Sequence, residues 1–419
     1  EIWKGLVGSE MCIRDRVLFE LYKMNFKVKT YNAIAETGIS LLKESDFSVS
    51  ENEDSPDAMI LRSYKLTDKD VESSIKAIAR AGAGVNNVPV DLCSKNGIVV
   101  FNTPGANANA VKEIVLAGLL LSSRGIYSGA NYINDIEGID PDDLKGHIEQ
   151  GKKNFKGREL KDGVLGVIGM GAIGAKVADM GVMLGMDVIG YDPAISVEAA
   201  WKLPNMVSRR DNLESVFADS DYLTLHIPAI DETKNLVNKD LLDNAKQGLK
   251  LINFARDEIV DSKAVIEALD SGKLGGYVTD FANLELIDRA KSKGDVIILP
   301  HIGASTRQAE ENCSVMAAEQ LKDFLENGNI INSVNFPELV EPRKSKFRIT
   351  LSNSNIAGMI GQITTILADN NLNILNMVNK SKGEIAYNVI DTDVEPSKSV
   401  EEGLSNLDGV INVRIIKND

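Results

Sequence analysis

The sequence predicts an α/β protein in which two doubly wound parallel sheets are followed by a small βαββαβ unit. Three observations carry this. From Phe26 the chain alternates short β-rich runs with helical periods. From Asp162 a second alternation begins, running through six strands and opening on a glycine-rich turn. The last stretch, about 75 residues, reads strand, helix, strand, strand, helix, strand, the ferredoxin-like order.

The chain has 419 residues, enough for several cores at roughly 100–200 residues per domain. Hydrophobic residues at 43% exclude disorder as the main state. A formal charge of −15, without any long Lys/Arg run, argues against nucleic acid or an anionic membrane as partner. No stretch approaches the ~20 apolar residues of a bilayer span. Cys12, Cys93 and Cys313 are too few and too far apart for a disulfide framework or a Cys-x-x-Cys metal site, and are read as reduced thiols of a cytoplasmic protein without a metal. Residues 1–16 (EIWKGLVGSEMCIRDR) have neither signal-peptide organisation nor amphipathic period, and resemble translated adapter sequence ahead of a start near Met24. An unpacked, non-native tail is expected over 1–23.

In order, FKVKTYN, GISLLKES, AMILRS, DVESSIKAIAR and GIVVFNT read as strand, helix, strand, helix, strand. Residues 110–124 form an apolar helix of the kind buried between domains, and 127–161 read as a polar surface excursion. The second series places strands at VLGVIG, DVIGYD, DYLTLHIP, LKLINFA, GYVTD and DVIILP, with helices such as AKVADMGVML, NKDLLDNAKQ and SKAVIEALDSG between them. Residues 305–327 are one long helix. Residues 332–346, with two Pro and no period, mark a boundary. FRITLSN, LNILNMVNK, EIAYNVIDT and GVINVRII are the strands of the last unit, with helices at 358–369 and 396–407.

VLGVIGMGAIG sets Gly169, Gly171 and Gly174 in G-x-G-x-x-G spacing directly after a strand and opening a helix, with Met170, Ala172 and Ile173 between them. The first glycine makes the turn, the second lets backbone approach a pyrophosphate, and the third lets helix and strand pack closely. Asp192, 18 residues beyond Gly174 at the next strand end, supplies the carboxylate that accepts from both ribose hydroxyls and repels a 2′-phosphate, which selects NAD over NADP. The bland alternative is a tight strand–helix turn without ligand, followed by a turn-forming Asp.

Hydride transfer from an alcohol needs a base for the hydroxyl proton and a cation for an anionic substrate. Of the histidines, His147 lies in the polar excursion, His226 ends a strand where it can line a cofactor site, and His301, in ILPHIGAST, is the better base. Arg256, just past a strand end, offers a planar fork for a carboxylate. Glu285 follows the GYVTD strand, and a carboxylate beside His301 would orient the ring and favour its protonated form. Taken singly, an Arg or Glu on a loop is more often a solvated charge.

The series VIGMGAIG, YDP, HIPAIDETKNL, INFAR-x-x-x-VD, TDFANLE and PHIGAST resembles the D-isomer-specific 2-hydroxyacid dehydrogenases. That resemblance implies Arg256 as the substrate-orienting cation, Glu285 as partner and His301 as acid/base. It also implies Asp280 on the nicotinamide side and His226, Ile227 and Pro228 in the cofactor wall, with Phe254, Ala255 and Gly303 joining the cofactor site. Arg62, Ser63, the backbone of Ala83, Gly84 and Val85, and Asn107 are implied substrate contacts. The backbone of 82–85 can receive a carboxylate as a nest, or can be an ordinary turn.

The chain departs from the family pattern at Asp257, Ala282 and Leu286, and Arg62 is followed by Tyr64 and Lys65 where a second Arg can occur, leaving Lys152 and Lys153 to complete a phosphate site. The implied organisation is 24–116 with 302–334 as a discontinuous substrate-binding domain, 117–301 as a Rossmann NAD-binding domain, 335–345 as linker and 346–419 as an ACT-like regulatory unit. The resemblance, with an ACT-like tail that suits a biosynthetic branch point, implies oxidation of D-3-phosphoglycerate to 3-phosphohydroxypyruvate, the entry to L-serine biosynthesis. L-serine is then the implied effector at Asn353, Asn355 and Asn373, and a homodimer or homotetramer the implied assembly. Asn353 and Ala357 depart from the His and Pro common at those positions. Three alternatives stay open: an unphosphorylated 2-hydroxy or 2-oxo acid as substrate (glycerate or hydroxypyruvate, glyoxylate, 2-oxoglutarate), a non-catalytic NAD-sensing protein, and a tail that only joins subunits.

Overall fold

The computed structural model describes residues 26–417 apart from 33, 46 and 202, so the tail read at 1–23 lies outside the described residues. The chain divides into two compact units, one made of the described residues up to Ala106 together with those from Glu310 onward, the other spanning Asn107–Ala309.

The first unit opens with a five-stranded parallel sheet of β1 (Lys27–Tyr31), β2 (Ser48–Ser50), β3 (Ala58–Leu61), β4 (Ala77–Arg80) and β5 (Val99–Phe101), in the order β2-β1-β3-β4-β5. Helices α1 (Glu36–Glu44) and α2 (Val90–Lys95) belong to it. In β3 all four side chains are buried, Ala58 and Ile60 in one core and Met59 and Leu61 in the other, as a sheet covered on both faces requires.

The helix expected at 70–80 is absent. A 3₁₀ turn at Asp68–Asp70 leads through an irregular stretch into β4. Ile75 and Ile78, whose spacing imitates a helix face, pack together on one side of the sheet, while Ala77 and Ala79 alternate to the other.

The second unit opens with α3 (Ala108–Ser123), followed by α4 (Ile126–Asn134) and α5 (Pro141–Gly151). Much of the stretch read as a polar surface excursion is helical, α5 being started by Pro141 at its first position and by Asp140, whose side chain accepts from the Asp142 amide. The polar composition reflects exposure, not lack of helix. A seven-stranded parallel sheet follows, from β6 (Val164–Ile168), β7 (Asp187–Tyr191), β8 (Ser208–Arg209), β9 (Tyr222–Leu225), β10 (Leu249–Asn253), β11 (Leu274–Thr279) and β12 (Val296–Ile298), in the order β12-β11-β10-β9-β6-β7-β8. The sequence reading found six of these; β8 is two exposed residues and carries no hydrophobic alternation. Helices α6 (Ala172–Met183), α7 (Val197–Trp201), α8 (Leu213–Asp219), α9 (Lys239–Asp243), α10 (Ser262–Asp270) and α11 (Leu284–Lys293) lie between the strands. Helix α3 packs on α6, β10 and β11, where a Cβ at Gly118 would lie 3.3 Å from the Phe254 ring.

Helix α12 (Arg307–Asn327) then enters the first unit, where Cys313, Ala317, Leu321 and Phe324 join its core. Residues 335–345, read as a linker, carry Phe336 and Leu339 into that core, and the Asn335 side chain accepts from the Val100 amide at 2.8 Å and donates to the Ile98 carbonyl at 2.9 Å. The βαββαβ unit is β13 (Phe347–Ser354), α13 (Met359–Asp369), β14 (Ile374–Lys382), β15 (Ile385–Thr392), α14 (Lys398–Ser405) and β16 (Val410–Lys417), an antiparallel sheet in the order β14-β15-β13-β16. Ile349, Leu351 and Ile390 face α13 and α14.

The other face of that sheet caps α12. Arg348 donates to the Asn327 carbonyl at 2.9 Å, Arg343 to that of Glu326 at 3.1 Å, Arg414 to that of Leu325 at 2.9 Å, and the Tyr387 hydroxyl to that of Gly328 at 2.8 Å. Three guanidinium groups and a hydroxyl thus satisfy the free carbonyls at the negative end of the helix.

Candidate active site

The turn after β6 has the steric logic that the sequence implies. Gly169 has φ +88°, and a Cβ there would lie 2.5 Å from the His226 carbonyl oxygen. A Cβ at Gly174 would lie 1.9 Å from the Gly169 oxygen, whereas one at Gly171 meets nothing within 4 Å. The middle glycine therefore faces open space at the start of α6, where helix amides and dipole favour an anion. Met170 is buried under the turn, with Ala172 and Ile173 beginning the helix. The Asp192 carboxylate accepts from the Met170 amide at 2.8 Å and from the Ala194 amide at 2.9 Å, so it is fixed at the end of β7 beside the turn. These residues fit an adenosine diphosphate moiety: Gly171 leaves room for a pyrophosphate, and Asp192 is a carboxylate able to accept from a ribose.

At the end of β9 the His226 ring lies 3.0 Å from the hydroxyl of buried Thr224, and its amide donates to the Ile168 carbonyl at 2.7 Å. Burial pushes this imidazole down to about 3. His226 is neutral at physiological pH and is suited to a wall, with Ile227 and Pro228, not to proton transfer.

The carboxyl ends of β10, β11 and β12 hold the remaining candidates. Fully buried Asn253 accepts from the Ala255 amide at 3.0 Å and donates to the Arg256 carbonyl at 2.9 Å, fixing the turn on which Phe254, Ala255 and Arg256 sit. The Arg256 guanidinium donates to the Ala255 carbonyl at 2.6 Å. Asp257 follows in a 3₁₀ turn, its carboxyl raised by burial and by neighbouring Glu258.

Asp280, at the end of β11, is buried. One carboxylate oxygen accepts from the Gly303 amide at 2.8 Å and the other has no hydrogen-bond partner. Burial raises this carboxyl; the Gly303 N–H and the charges of His301 and Arg256 oppose the rise. Asp280 thus lies within electrostatic reach of both His301 and Arg256.

His301 is exposed, with φ +50°, and its amide donates to the Asp280 carbonyl at 3.1 Å. Its ring meets that of Phe281 edge-on at 5.1 Å. Glu285 is exposed in the first turn of α11 and makes no hydrogen bond or ion pair with His301, whose backbone is tied instead to that of Asp280. Asn283 starts α11, accepting from the Leu286 amide at 2.9 Å and donating to Ser262 at 2.9 Å.

In the first unit, Arg62 pairs with Glu310 at 2.7 Å, and the Ser63 hydroxyl lies 3.5 Å from the Asn32 side-chain oxygen. The Arg80 guanidinium donates to the Arg62 carbonyl at 3.1 Å and lies against Gly82, where a Cβ would overlap it. Asn102 holds the carbonyl of Ala83 at 2.7 Å, which shapes the turn through Gly84 and Val85. Arg80 is a second cation beside Arg62 that sequence reading missed, because it ends a segment taken as helix. In the second unit Asn107 precedes α3, its side-chain oxygen buried without a partner. Lys152 pairs with Glu149, and His147 stacks on Tyr132 in the exposed helical stretch.

In the βαββαβ unit the three polar residues singled out differ. Asn353 is 2% exposed, donating to the Ser354 carbonyl and accepting from Asn388 at 2.8 Å. Asn355 is exposed and donates to the Gly383 carbonyl at 3.2 Å. The Asn373 amide donates to Asp393 at 3.1 Å.

Residues 132–303 match the family model of the D-isomer specific 2-hydroxyacid dehydrogenase, NAD binding domain. The D-3-phosphoglycerate dehydrogenase of Haemophilus influenzae is 32% identical over 363 residues, 84% of this chain and 84% of that protein. Its counterpart from Synechocystis is 34% identical over 355 residues, 80% of this chain; the chain spans 61% of that relative's length. Among solved structures, the NAD+-bound 3-phosphoglycerate dehydrogenase of Entamoeba histolytica superposes with a TM-score of 0.60 at 28% identity, covering 75% of this chain and 100% of that one. With the glycine turn, Asp192 and the carboxyl-edge residues in the arrangement just described, the chain belongs to the D-isomer specific 2-hydroxyacid dehydrogenases, and its cofactor is NAD.

Proposed function

We propose that this protein oxidises D-3-phosphoglycerate to 3-phosphohydroxypyruvate, the entry step of L-serine biosynthesis, in the cytoplasm and as a homodimer or homotetramer. The observation that carries the reading is that Arg256, Asp280 and His301 follow the carboxyl ends of the neighbouring strands β10, β11 and β12, together with relatives named for this reaction along most of the chain.

Gly171 and the start of α6 hold the pyrophosphate, and Asp192 holds the adenosine ribose. When bound, NAD supplies the hydride acceptor. Arg256 forks onto the substrate carboxylate and fixes which face of C2 is presented. The His301 imidazole accepts the C2 hydroxyl proton as the carbonyl forms, and the Asp280 charge favours the resulting imidazolium. Neutral His226 lines the cofactor wall without competing for that proton. Glu285 assists only if it turns toward His301 on substrate binding, since it is unpaired with that ring here. Arg62 and Arg80 are the cations proposed for the phosphate, and L-serine the proposed effector of the βαββαβ unit, entering through exposed Asn355 because the Asn353 amide is already engaged.

The Arg62–Glu310 pair favours a second reading, an unphosphorylated 2-hydroxy acid, because it withholds one cation from a phosphate. A panel of D-3-phosphoglycerate, D-glycerate, glyoxylate and 2-oxoglutarate, followed by NADH absorbance with and without L-serine, separates the two. Preference for D-glycerate over its phosphate ester would reject the main reading, and absence of turnover with any acid would reject both.

A further inference from the structure

The seven-stranded sheet has a second edge that the dehydrogenase chemistry leaves unused. At the amino ends of β6, β9, β10, β11 and β12, opposite to the cofactor turn, lies a cavity of about 750 Å³, within the size range of small-molecule sites. Lys250 points into it from β10. Its amine donates to the Gly275 carbonyl, and burial lowers its hold on a proton. Gly275 has to lack a side chain there, since a Cβ would lie 2.9 Å from that amine and 2.6 Å from the Gly248 oxygen. Arg158 acts electrostatically on Asp221, Tyr222 and Lys250 alike, so its charge projects over the cavity.

The balance of charge is what singles this cavity out on a chain of −15. Two of its carboxylates are already neutralised from outside, Asp221 by Lys246 at 2.8 Å and Asp295 by Arg289 at 2.8 Å. Among the described residues Arg124, Lys156, Arg158 and Lys161 have no ion-pair partner, against two exposed acids, Glu159 and Asp162. The cations outnumber the acids left to meet them, and a half-buried amine held only by a carbonyl has capacity for a stronger acceptor.

We propose that this amino-edge cavity is a second anion site, taking a phosphorylated small molecule, with Lys250 and Arg158 as its charged contacts. The test is calorimetric titration of inorganic pyrophosphate into the full chain saturated with NADH, which keeps the probe off the cofactor turn. Saturable binding is expected, weakened about tenfold or more in Arg158→Glu and in Lys250→Met, with NADH affinity unchanged. Because Lys250→Met can disturb the sheet, exposed Arg158→Glu is the deciding variant. No saturable heat, or equal binding by wild type and Arg158→Glu, overturns the proposal. So does a change of sedimentation in Arg158→Glu without pyrophosphate binding by wild type, which would assign the cavity to a contact between subunits.

Discussion

The amide of His301 donates to the carbonyl oxygen of Asp280 at 3.1 Å, tying the candidate acid/base to the backbone of a buried carboxylate. Burial raises the Asp280 carboxyl, so its contribution to stability is present at low pH and lost as pH rises through its folded value, starting from above 3.8. Asp280→Asn removes that charge and keeps an acceptor for the Gly303 amide. The variant is expected to melt no lower than wild type at neutral pH, while kcat falls on the order of ten- to a hundredfold. Unchanged kcat would show that Asp280 does not assist His301.

The second and third glycines of the cofactor turn separate binding from folding. Gly171 has φ −69° and open space where a Cβ would be. Gly171→Ala is expected to keep its melting temperature while NADH affinity drops about tenfold or more. Gly174→Ala drives a methyl to 1.9 Å from the Gly169 oxygen and is expected to yield little folded protein. NADH titration followed by tryptophan fluorescence, alongside thermal melting, distinguishes them; equal NADH affinity in Gly171→Ala and wild type would place the pyrophosphate elsewhere.

Asn253 touches no substrate in the proposed mechanism and acts through Arg256. Asn253→Ala removes both hydrogen bonds that set the turn, and a displaced guanidinium loses its carboxylate geometry. The expected outcome is a KM raised about tenfold or more with NADH affinity retained. A merely structural role would lower stability and leave the KM of the folded fraction unchanged.

His226 gives acid sensitivity. Above about 6.5 the ring is neutral in both the folded and the unfolded chain; below it the unfolded chain takes up a proton that the folded chain refuses until about 3. Stability therefore falls as pH is lowered through this window. His226→Gln has no such proton to refuse and is expected to lose less stability between neutral and acid pH, whatever its absolute stability. Denaturant midpoints measured across the window check this, and parallel curves for the two proteins would refute it.

Function is legible in the sequence where the chemistry imposes a local pattern. Gly169, Gly171 and Gly174 follow an apolar strand because the turn admits nothing larger in two of the three places, and Asp192 stands at a strand end where its carboxylate can turn back onto the Met170 amide. Long-range relations were not legible. Whether Glu285 or Asp280 approaches His301 depends on how α11 leaves β11, and that direction is set by the Asn283 cap and its bond to Ser262, not by spacing in the chain. Arg80 was hidden by the misread segment at 70–80. Asn253, an amide within the apolar strand LKLINFA, is the sequence signal of the turn that carries Arg256.

The Arg348–Asp391 pair tests how firmly the βαββαβ sheet holds α12. Both side chains are wholly inaccessible and meet in two bonds of 2.7 and 2.9 Å. Arg348 also donates to the Asn327 and Glu341 carbonyls, and Asp391 accepts from the Lys344 amide. Arg348→Ala strands a buried carboxylate and is expected to cost about 3–5 kcal/mol. Arg348→Met with Asp391→Leu removes the charges together and should cost less than the single change, although two carbonyls then lose a donor at about 1–3 kcal/mol each. If α12 and the sheet form one cooperative block, as the succession of carbonyls capped from Leu325 to Gly328 implies, both variants will lower the midpoint of a single denaturant transition. Separate transitions in wild type, one for the C-terminal sheet alone, would contradict the clamp, as would a double variant less stable than Arg348→Ala.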